Sequence, residues 1–362
     1  MVAEGAIRAG WRFFAGYPIT PATGIFKAMI DALPARGGLA LSAPDEISAI
    51  AECIGAAMRG YKAMTATSGP GWALMIESVQ YALMTETPLV IALVQRLGPS
   101  TGGATQGAQG DLLLAEHATS GGYTIPMLAP SNARECADLT EIAFAWAERL
   151  RTPVVVLSDK EVGMTTERVD FTDGSSSPET YAVGTNGNNG TYYFNRPGDI
   201  PLFTAVGGAT RVIATGSAHD KRGKLQKNSP ETIDVLRHLE EKIRLRAHEL
   251  EIVVEDIQPE ARTLVISYGV TSRAASSAVR LARDSGLNVS HLSVKSLFPL
   301  PYAALDRALK GVESVIVPEE NLTGQYRRII APYIGNRVLR GINKIGNMIS
   351  PSEILRAIRV TP

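Results

Sequence analysis

The segment Gly16-Tyr-Pro-Ile-Thr-Pro-Ala-Thr23 joins an apolar stretch, 11–17, to a stretch with helical periodicity, 23–32. Pro18 and Pro21 restrict the backbone and prevent a strand or a helix from running through the segment. The segment is therefore predicted to be a stiff turn that carries the chain from a strand into a helix.

The same strand-then-helix order recurs along the first half of the chain. Short apolar segments typical of buried parallel strands lie at 11–17, 62–67, 89–94 and 154–158. Helical segments lie at 23–32, 46–59, 72–84 and 131–150, and the last is expected to be capped by Ser131. This alternation predicts an α/β fold with a parallel sheet covered by helices on both faces.

The regular order ends near Asp170, where a long stretch rich in Gly, Asn and Ser begins, including Asn-Gly-Asn-Asn-Gly at 186–190. A charged helix is expected over 229–252, with Glu240, Glu241, Lys242 and Arg244 on its solvated face. A second α/β unit follows. Its strands are expected at 263–268, 287–293 and 312–317, with a last strand and turn at 342–351, and its helices at 274–285, 301–309, 325–334 and 353–358. We therefore expect domains at 1–170 and 258–362, joined by a connecting segment at 171–257.

Composition excludes several classes of function. Lys and Arg total 36 and Asp and Glu total 36, so the formal net charge of the 362 residues is zero and neither nucleic acid nor an anionic membrane is an expected partner. No apolar run reaches about 18 residues, which predicts a soluble protein. The two cysteines, Cys53 and Cys136, are few enough for a cytoplasmic protein and stand too far apart to form an iron–sulfur ligand set. The histidines show no metal-ligand spacing, so we expect no metal site.

Thr20 is the first candidate site residue. It lies at the carboxyl end of a predicted strand, where open α/β sheets bind ligands, and just before a helix N-terminus, which favours anions. A plain strand–helix turn, with Thr20 or Thr23 as a cap, is the alternative.

Glu46 is the second candidate. It begins a helix whose small residues, Gly55, Ala56 and Ala57, indicate close packing against a neighbouring element. A carboxylate on such a helix could donate or accept a proton at a fixed position. A favourable interaction between the acidic pair Asp45–Glu46 and the helix dipole is the alternative.

Two further segments end predicted strands. Thr65-Ala-Thr-Ser-Gly-Pro-Gly71 has glycines that permit close approach of a ligand, although it lacks the spacing and the lysine of a nucleotide-binding loop. Arg96 follows the apolar strand 89–94 and offers bidentate hydrogen bonds to a carboxylate, and Thr101 lies in the loop beyond. The alternatives are a tight turn without a ligand and an arginine on the surface.

These segments converge. The ends of three predicted parallel strands supply Thr20, the region of Ser68, and Arg96, and Glu46 lies between the first two along the chain. Because the carboxyl ends of parallel strands meet at one edge of a sheet, we expect these residues to lie on a single rim.

Taken in order along the chain, these motifs resemble those of a known family. GYPITPAT, DEISAIAECIGAAMRG, MTATSGPGWALM, QRLGPSTGG and RTPVVVLSDK, followed later by HDKRG and EENLTGQ, resemble the alpha subunit of 2-oxoacid:ferredoxin oxidoreductases of the 2-oxoglutarate type. The resemblance implies a pyrimidine-binding domain for thiamine diphosphate, followed by a domain of the transketolase C-terminal type.

The resemblance also implies roles for the candidate residues. Glu46 matches the glutamate that hydrogen-bonds N1′ of the cofactor's pyrimidine ring. Thr20 and Arg96 match positions that hold the carboxylate and the C2 oxygen of the substrate, and Thr101 is a further substrate contact. Mg²⁺ and a [4Fe–4S] cluster are expected on a separate beta subunit, in an (αβ)₂ assembly.

The implied reaction is oxidative decarboxylation of a 2-oxoacid with coenzyme A, with ferredoxin as the electron acceptor. The loop Gly102–Asp111 departs from the usual pattern of the family and leaves the identity of the acid open. Pyruvate, branched-chain, aryl and other 2-oxoacids remain alternatives, as does a non-catalytic assembly subunit.

Overall fold

Two β-sheets covered by helices organise the protein. The computed structural model describes residues 1–171 and 190–361. The strands of the first sheet are β1 (Phe13–Gly16), β2 (Leu39–Ser42), β3 (Ala63–Thr67), β4 (Leu89–Gln95), β5 (Met127–Leu128), β6 (Pro153–Asp159) and β10 (Ser296–Phe298). Their order across the sheet is β10-β5-β6-β4-β3-β1-β2.

Helices cover both faces of this sheet because β3, β4 and β6 are buried throughout and largely apolar. One face packs against a cluster that includes Trp72 and Met75, and the other against a cluster that includes Trp11 and Phe144. The helices are α1 (Val2–Arg8), α2 (Thr23–Ala32), α3 (Glu46–Met58), α4 (Gly69–Met84), α5 (Leu112–Glu116), α6 (Ala133–Leu150) and α7 (Lys160–Met164).

The carboxyl ends of the central strands lie side by side. β1 pairs in parallel with β2 and β3, β3 with β4, and β4 with β6. In this register Gln95, the last residue of β4, lies opposite Asp159, the last residue of β6. The segments that follow β1, β2, β3 and β4 therefore form one edge, which we call the strand-end rim.

The second sheet is smaller. Its strands are β7 (Val253–Asp256), β8 (Thr263–Tyr268), β9 (Val289–Val294), β11 (Ser314–Glu319) and β12 (Val338–Asn343), in the order β12-β11-β8-β9-β7. Its helices are α9 (Thr271–Asp284), α10 (Tyr302–Ala308), α11 (Gln325–Ile334) and α12 (Pro351–Arg359). The two antiparallel strands, β7 and β10, are each at the edge of a sheet, so the predicted α/β class with parallel sheets is confirmed.

A connecting segment between the sheets contains α8 (Pro230–Arg244) and a 3₁₀ turn, Ala247–Leu250. The expected Asn/Gly-rich loop at 186–189 lies outside the described residues. The expectation that Lys242 is solvated is wrong, because its ammonium is fully buried and lies 2.9 Å from Glu86 Oε2. His238 lies 3.1 Å from the same oxygen, so α8 is anchored to the first unit by a buried charge cluster.

Three other expectations differ from the structure. The final strand is Val338–Asn343, so it begins earlier than the strand and turn expected at 342–351, and residues 344–350 form an irregular link to α12. Helix α8 ends at Arg244 rather than at residue 252. Asn132, and not Ser131, caps α6, because its side chain accepts the amide hydrogen of Glu135. Within the described residues, none of the helices combines the length and the apolar character needed to cross a bilayer.

Candidate functional site

Thr20 lies in the irregular turn after β1. Its side chain is exposed, and its backbone carbonyl accepts a hydrogen bond of 2.5 Å from Arg96 Nη1. Helix α2 begins three residues later without a side-chain cap, so neither Thr20 nor Thr23 acts as one. The turn after β1 and the end of β4 are thereby joined across the end of β3, which lies between these two strands in the sheet.

Glu46 is the first residue of α3, and only 6% of its surface is exposed. The capping function belongs to Asp45, whose carboxylate accepts the Ser48 amide at 2.7 Å, and this bond lowers the pKa of Asp45. Glu46 has no hydrogen-bond partner among the residues that the structure describes. The side chain is largely buried while its oxygens keep their hydrogen-bonding positions open, so the carboxylate is suited to receive a polar group from a ligand.

The start of α4 lies directly against Glu46. A Cβ atom placed on Gly71 would come within 2.6 Å of Glu46 Oε1 and 2.1 Å of Thr67 Oγ1. Glycine is therefore required at this position for the carboxylate to occupy its place beside the helix N-terminus. The segment 68–71 and Glu46 form one structural unit, and the close approach predicted from the glycines is to this side chain.

Arg96 is buried, with 5% of its surface exposed, so it is not a surface arginine. Its Nε has no hydrogen-bond partner within the described parts of the chain. The guanidinium lines a cavity of about 520 Å³ between the two units. A buried guanidinium with an open hydrogen-bonding position can bind a carboxylate.

The cavity is formed by both units. The first contributes the start of α4, the turn after β4 and the beginning of α5, and the second contributes the loop before α11. The residues that line it are Gly69, Pro70, Ala73, Arg96, Leu97, Gly98, Pro99, Ser100, Ala108, Gly110, Asp111, Leu114, Asn321, Leu322, Thr323, Gln325 and Ile345. Asp111 is the acidic member of this set, and it was not anticipated because it lies in a loop without periodicity.

Thr101 lies at the tip of a short loop. The loop is closed at its base by the Gly103 amide, which donates to the Leu97 carbonyl, and by the Leu97 amide, which donates to the Gln106 carbonyl, each at 2.9 Å. The Thr101 side chain is exposed and has no hydrogen-bond partner in the described part of the structure. The structure does not bring Thr101 into the cavity with Arg96.

Buried amide side chains join the two units beneath the cavity. Gln109 Nε2 donates to Asp159 Oδ2 at 3.3 Å and to the Tyr268 carbonyl at 3.1 Å. Gln95 Nε2 donates to Asp159 Oδ1 at 3.0 Å. Burial raises the pKa of Asp159 well above its usual range. The hydrogen bond from the Val270 amide has the opposite effect and lowers this pKa. These contacts fix the position of the cavity walls.

Metal-binding groups are not gathered at this site. Within residues 1–171 and 190–361, no three His, Cys, Asp or Glu side chains are placed to hold an ion. Cys53 and Cys136 are both buried and unbridged, and burial raises the pKa of Cys136 to about 12, so neither thiol is a ready ligand. The charged groups that the described residues place at this rim are a carboxylate and a guanidinium, which suit polar parts of an organic ligand.

Apolar side chains surround the site on the exposed surface. Next to the turn after β1, to Glu46 and to Gly71 lie Tyr17, Ile47 and Leu74, which are 39%, 52% and 51% exposed. At the mouth of the cavity lie Leu114, Leu322 and Ile345, which are 41%, 74% and 48% exposed. Apolar surface concentrated around a site commonly marks a protein interface.

Comparison with known proteins identifies the two units. The family model "Pyruvate flavodoxin/ferredoxin oxidoreductase, thiamine diP-bdg" matches residues 4–237, and "Pyruvate:ferredoxin oxidoreductase core domain II" matches residues 261–354. The 2-oxoglutarate synthase subunit KorA of Methanocaldococcus jannaschii is 40% identical, over 98% of this chain and 96% of the relative. The ketoisovalerate oxidoreductase subunit VorB of Methanothermobacter thermautotrophicus is 32% identical, over 99% and 95%.

Solved structures agree with these matches. A 2-oxoglutarate:ferredoxin oxidoreductase from Magnetococcus marinus, described with 2-oxoglutarate, coenzyme A and succinyl-CoA bound, superposes with a TM-score of 0.89 at 32% identity. The alignment covers 99% of this chain but 63% of that one, which is therefore considerably longer. A split-gene transketolase, at 11% identity and a TM-score of 0.55, shares the fold alone. With a family model matched over most of its length and relatives at 40% identity, this chain belongs to the family of 2-oxoacid:ferredoxin oxidoreductases and carries the thiamine diphosphate-binding domain of that family.

Proposed function

We propose that this chain is the alpha subunit of a 2-oxoglutarate:ferredoxin oxidoreductase. In the reaction, the C1–C2 bond of the 2-oxoacid breaks and C1 leaves as CO₂. The remaining acyl carbon joins the sulfur of coenzyme A, and two electrons pass one at a time to ferredoxin. The observation that carries the proposal is the largely buried Glu46 carboxylate, which has no hydrogen-bond partner in the described part of the chain and lies on the same rim as Arg96.

Glu46 is the residue that we assign to the cofactor. Thiamine diphosphate, when bound, supplies a carbon nucleophile that its aminopyrimidine ring activates. Glu46 is largely buried, and its carboxylate oxygens can form a hydrogen bond with N1′ of that ring. The absence of a side chain at Gly71 leaves the space that the carboxylate occupies. Glu46 is accordingly both the catalytic and the cofactor-binding residue of this chain.

Arg96 and Thr20 are the residues that we assign to the oxoacid. Arg96 offers its guanidinium to the substrate carboxylate inside the cavity, and the Thr20 carbonyl holds the guanidinium in place. The exposed Thr20 hydroxyl and Thr101 face outward from the rim, where a second subunit would cover them. Thr101 can contact the substrate only if the loop around it moves toward the cavity.

A beta subunit is the partner that this surface fits. It would cover the apolar side chains around the site and would supply the diphosphate site, the Mg²⁺ and the [4Fe–4S] cluster. This chain has no gathered ligands for those groups among its described residues. We propose an (αβ)₂ assembly in the cytoplasm. We also keep the division into 1–170, 171–257 and 258–362 as the proposed domain organisation.

The test is co-expression of this chain with a beta subunit of the same family, followed by purification of the complex. Visible absorbance reports the iron–sulfur cluster, and reduction of a viologen dye with coenzyme A reports activity. The panel contains 2-oxoglutarate, pyruvate, 2-oxoisovalerate and phenylglyoxylate. We expect the highest kcat/KM with 2-oxoglutarate, and no turnover by this chain alone.

Other outcomes would change the assignment in defined ways. A preference for 2-oxoisovalerate would place the chain with the VorB-type relatives, one of which is 32% identical. Turnover of none of the acids by a coloured, thiamine-loaded complex would indicate an assembly subunit without catalytic function.

A further inference from the structure

Asp111 shares the cavity with Arg96, and these two are its charged lining residues. Asp111 follows the loop after β4 and directly precedes α5. No ion pair joins it to Arg96 within the described residues. A buried arginine and a carboxyl group that line one cavity without pairing leave the charge of the arginine available to a ligand.

Contacts from three directions hold Asp111 in this position. Its amide donates to Gln95 Oε1 at 3.1 Å. On either side of it, Gln325 Nε2 donates to the Gly110 carbonyl at 2.8 Å and Gln325 Oε1 accepts the Leu113 amide at 2.9 Å. Its Oδ1 lies so close to Gly69 that a Cβ atom there would be 2.5 Å away. The carboxyl group is therefore confined beside the start of α4.

The surroundings of Asp111 disfavour its charged form. Oδ2 is buried and has no hydrogen-bond partner among the described residues. Burial raises the pKa of Asp111 to about 6, and the amide and the positive charge of Arg96 oppose this rise. The first turn of α4 carries no acidic residue. The other ionisable groups on α5 and α11 are Glu116, Tyr326, Arg327, Arg328 and Tyr333. His117 follows α5, and Glu320 and Lys344 each precede a residue that lines the cavity.

A 2-oxoacid brings a second carboxylate to this cavity. Two carboxylates that share one arginine in a poorly solvated space repel each other. This repulsion is removed when one of the carboxylates takes up a proton. The carboxyl group of a 2-oxoacid is more acidic than that of a buried aspartate and stays ionised, so Asp111 takes up the proton. An ionised Asp111 would also partly cancel the attraction of Arg96 for the substrate.

We propose that Asp111 is a positioning residue that must be neutral for the anionic oxoacid to bind Arg96, so that each oxoacid enters with one proton. This inference rests on the proposed function, because it takes Arg96 as the group that binds the substrate. Asp111 acts through Arg96 and sets the pH range in which the site accepts its substrate.

The experiment measures KM for 2-oxoglutarate between pH 6.5 and 8.5 in the purified complex, with wild type and Asp111→Asn compared. Binding that takes up one proton weakens about tenfold for each pH unit above the pKa of the free carboxyl group. Wild-type KM should therefore rise about 30-fold from pH 7 to pH 8.5. The asparagine side chain stays neutral at every pH in this range, so the KM of the variant should change less than about threefold.

The variant should bind the oxoacid more tightly than wild type at pH 8.5, a gain that loss of a structural contact would not produce. Glu116→Gln is the matched control. It makes the same chemical change five residues further along, outside the cavity lining, and should keep the wild-type profile.

Parallel KM profiles for wild type and Asp111→Asn would overturn the inference, as would a variant that binds more weakly at every pH. Failure of the proposed function would appear differently, as a wild-type complex that turns over no 2-oxoacid at any pH.

Discussion

Substitution of Gly71 by alanine tests whether the position of Glu46 matters for turnover. The added methyl group would lie 2.6 Å from Glu46 Oε1 and Cγ and 2.1 Å from Thr67 Oγ1, whereas ordinary contact begins at 3.4 Å. The Glu46 carboxylate would therefore have to retreat by roughly 0.8 Å, and the Thr67 hydroxyl by more. Gly71 lies in α4, so the backbone conformation itself accepts alanine.

The expected loss follows from this displacement. Misplacement of a catalytic group by about 1 Å costs on the order of 100-fold in rate, so kcat should fall by about 10- to 100-fold. Overpacking at a buried position costs about 1–3 kcal/mol of unfolding free energy. KM for the oxoacid should change little, because the atoms that the methyl group would displace belong to Glu46 and Thr67 and not to Arg96.

Gly55→Ala is the matched control, since Gly55 lies in α3 and nothing lies within 4 Å of the added atom. This variant should keep wild-type turnover and melt at the same or a slightly higher temperature. The assay is viologen reduction by each purified complex, with thermal melting as a check of folding. A folded Gly71→Ala complex that turns over within twofold of the Gly55→Ala complex would show that the position of Glu46 does not limit turnover.

Two further substitutions separate the substrate site from the scaffold. Arg96→Ala removes a charge-assisted partner worth about 2–5 kcal/mol and should raise KM for the oxoacid at least about 30-fold; an unchanged KM would remove Arg96 from the site. Lys242→Met leaves Glu86 buried beside one remaining partner and should cost about 3–5 kcal/mol in urea unfolding, while exposed Lys224→Met should stay within about 0.5 kcal/mol of wild type. Equal unfolding free energies for the two lysine variants would show that the Glu86 cluster does not stabilise α8.

The strand-end rim could be predicted from the sequence because it depends on local patterns. Apolar segments of strand length, each followed by a turn and a helix, place Thr20 and Arg96 at strand ends on the same edge of the sheet. The hydrogen bond from Arg96 to the Thr20 carbonyl agrees with that placement. The helix that begins at Glu46 was also predictable, since Asp45 is a typical capping residue.

Contacts between distant segments could not be predicted in this way. The approach of Gly71 to Glu46 depends on how α4 packs against α3, and no spacing along the chain reveals it. Lys242 lies on a charged helix and looks solvated, yet its partner Glu86 is 156 positions away. Asp111 lies in a loop, and its significance comes from burial beside Arg96.

The role of Glu46 is decided by kcat of the Glu46→Gln complex with 2-oxoglutarate, measured beside Glu77→Gln as a control on the exposed side of α4. Glutamine keeps the size of the side chain and removes the charge that the pyrimidine ring requires, so the complex should assemble normally. We expect turnover to fall at least ~100-fold in Glu46→Gln, because a positioned proton contact usually contributes that much. The Glu77→Gln complex should turn over as wild type does. Turnover of Glu46→Gln within twofold of that control would contradict the assignment of Glu46 to the cofactor.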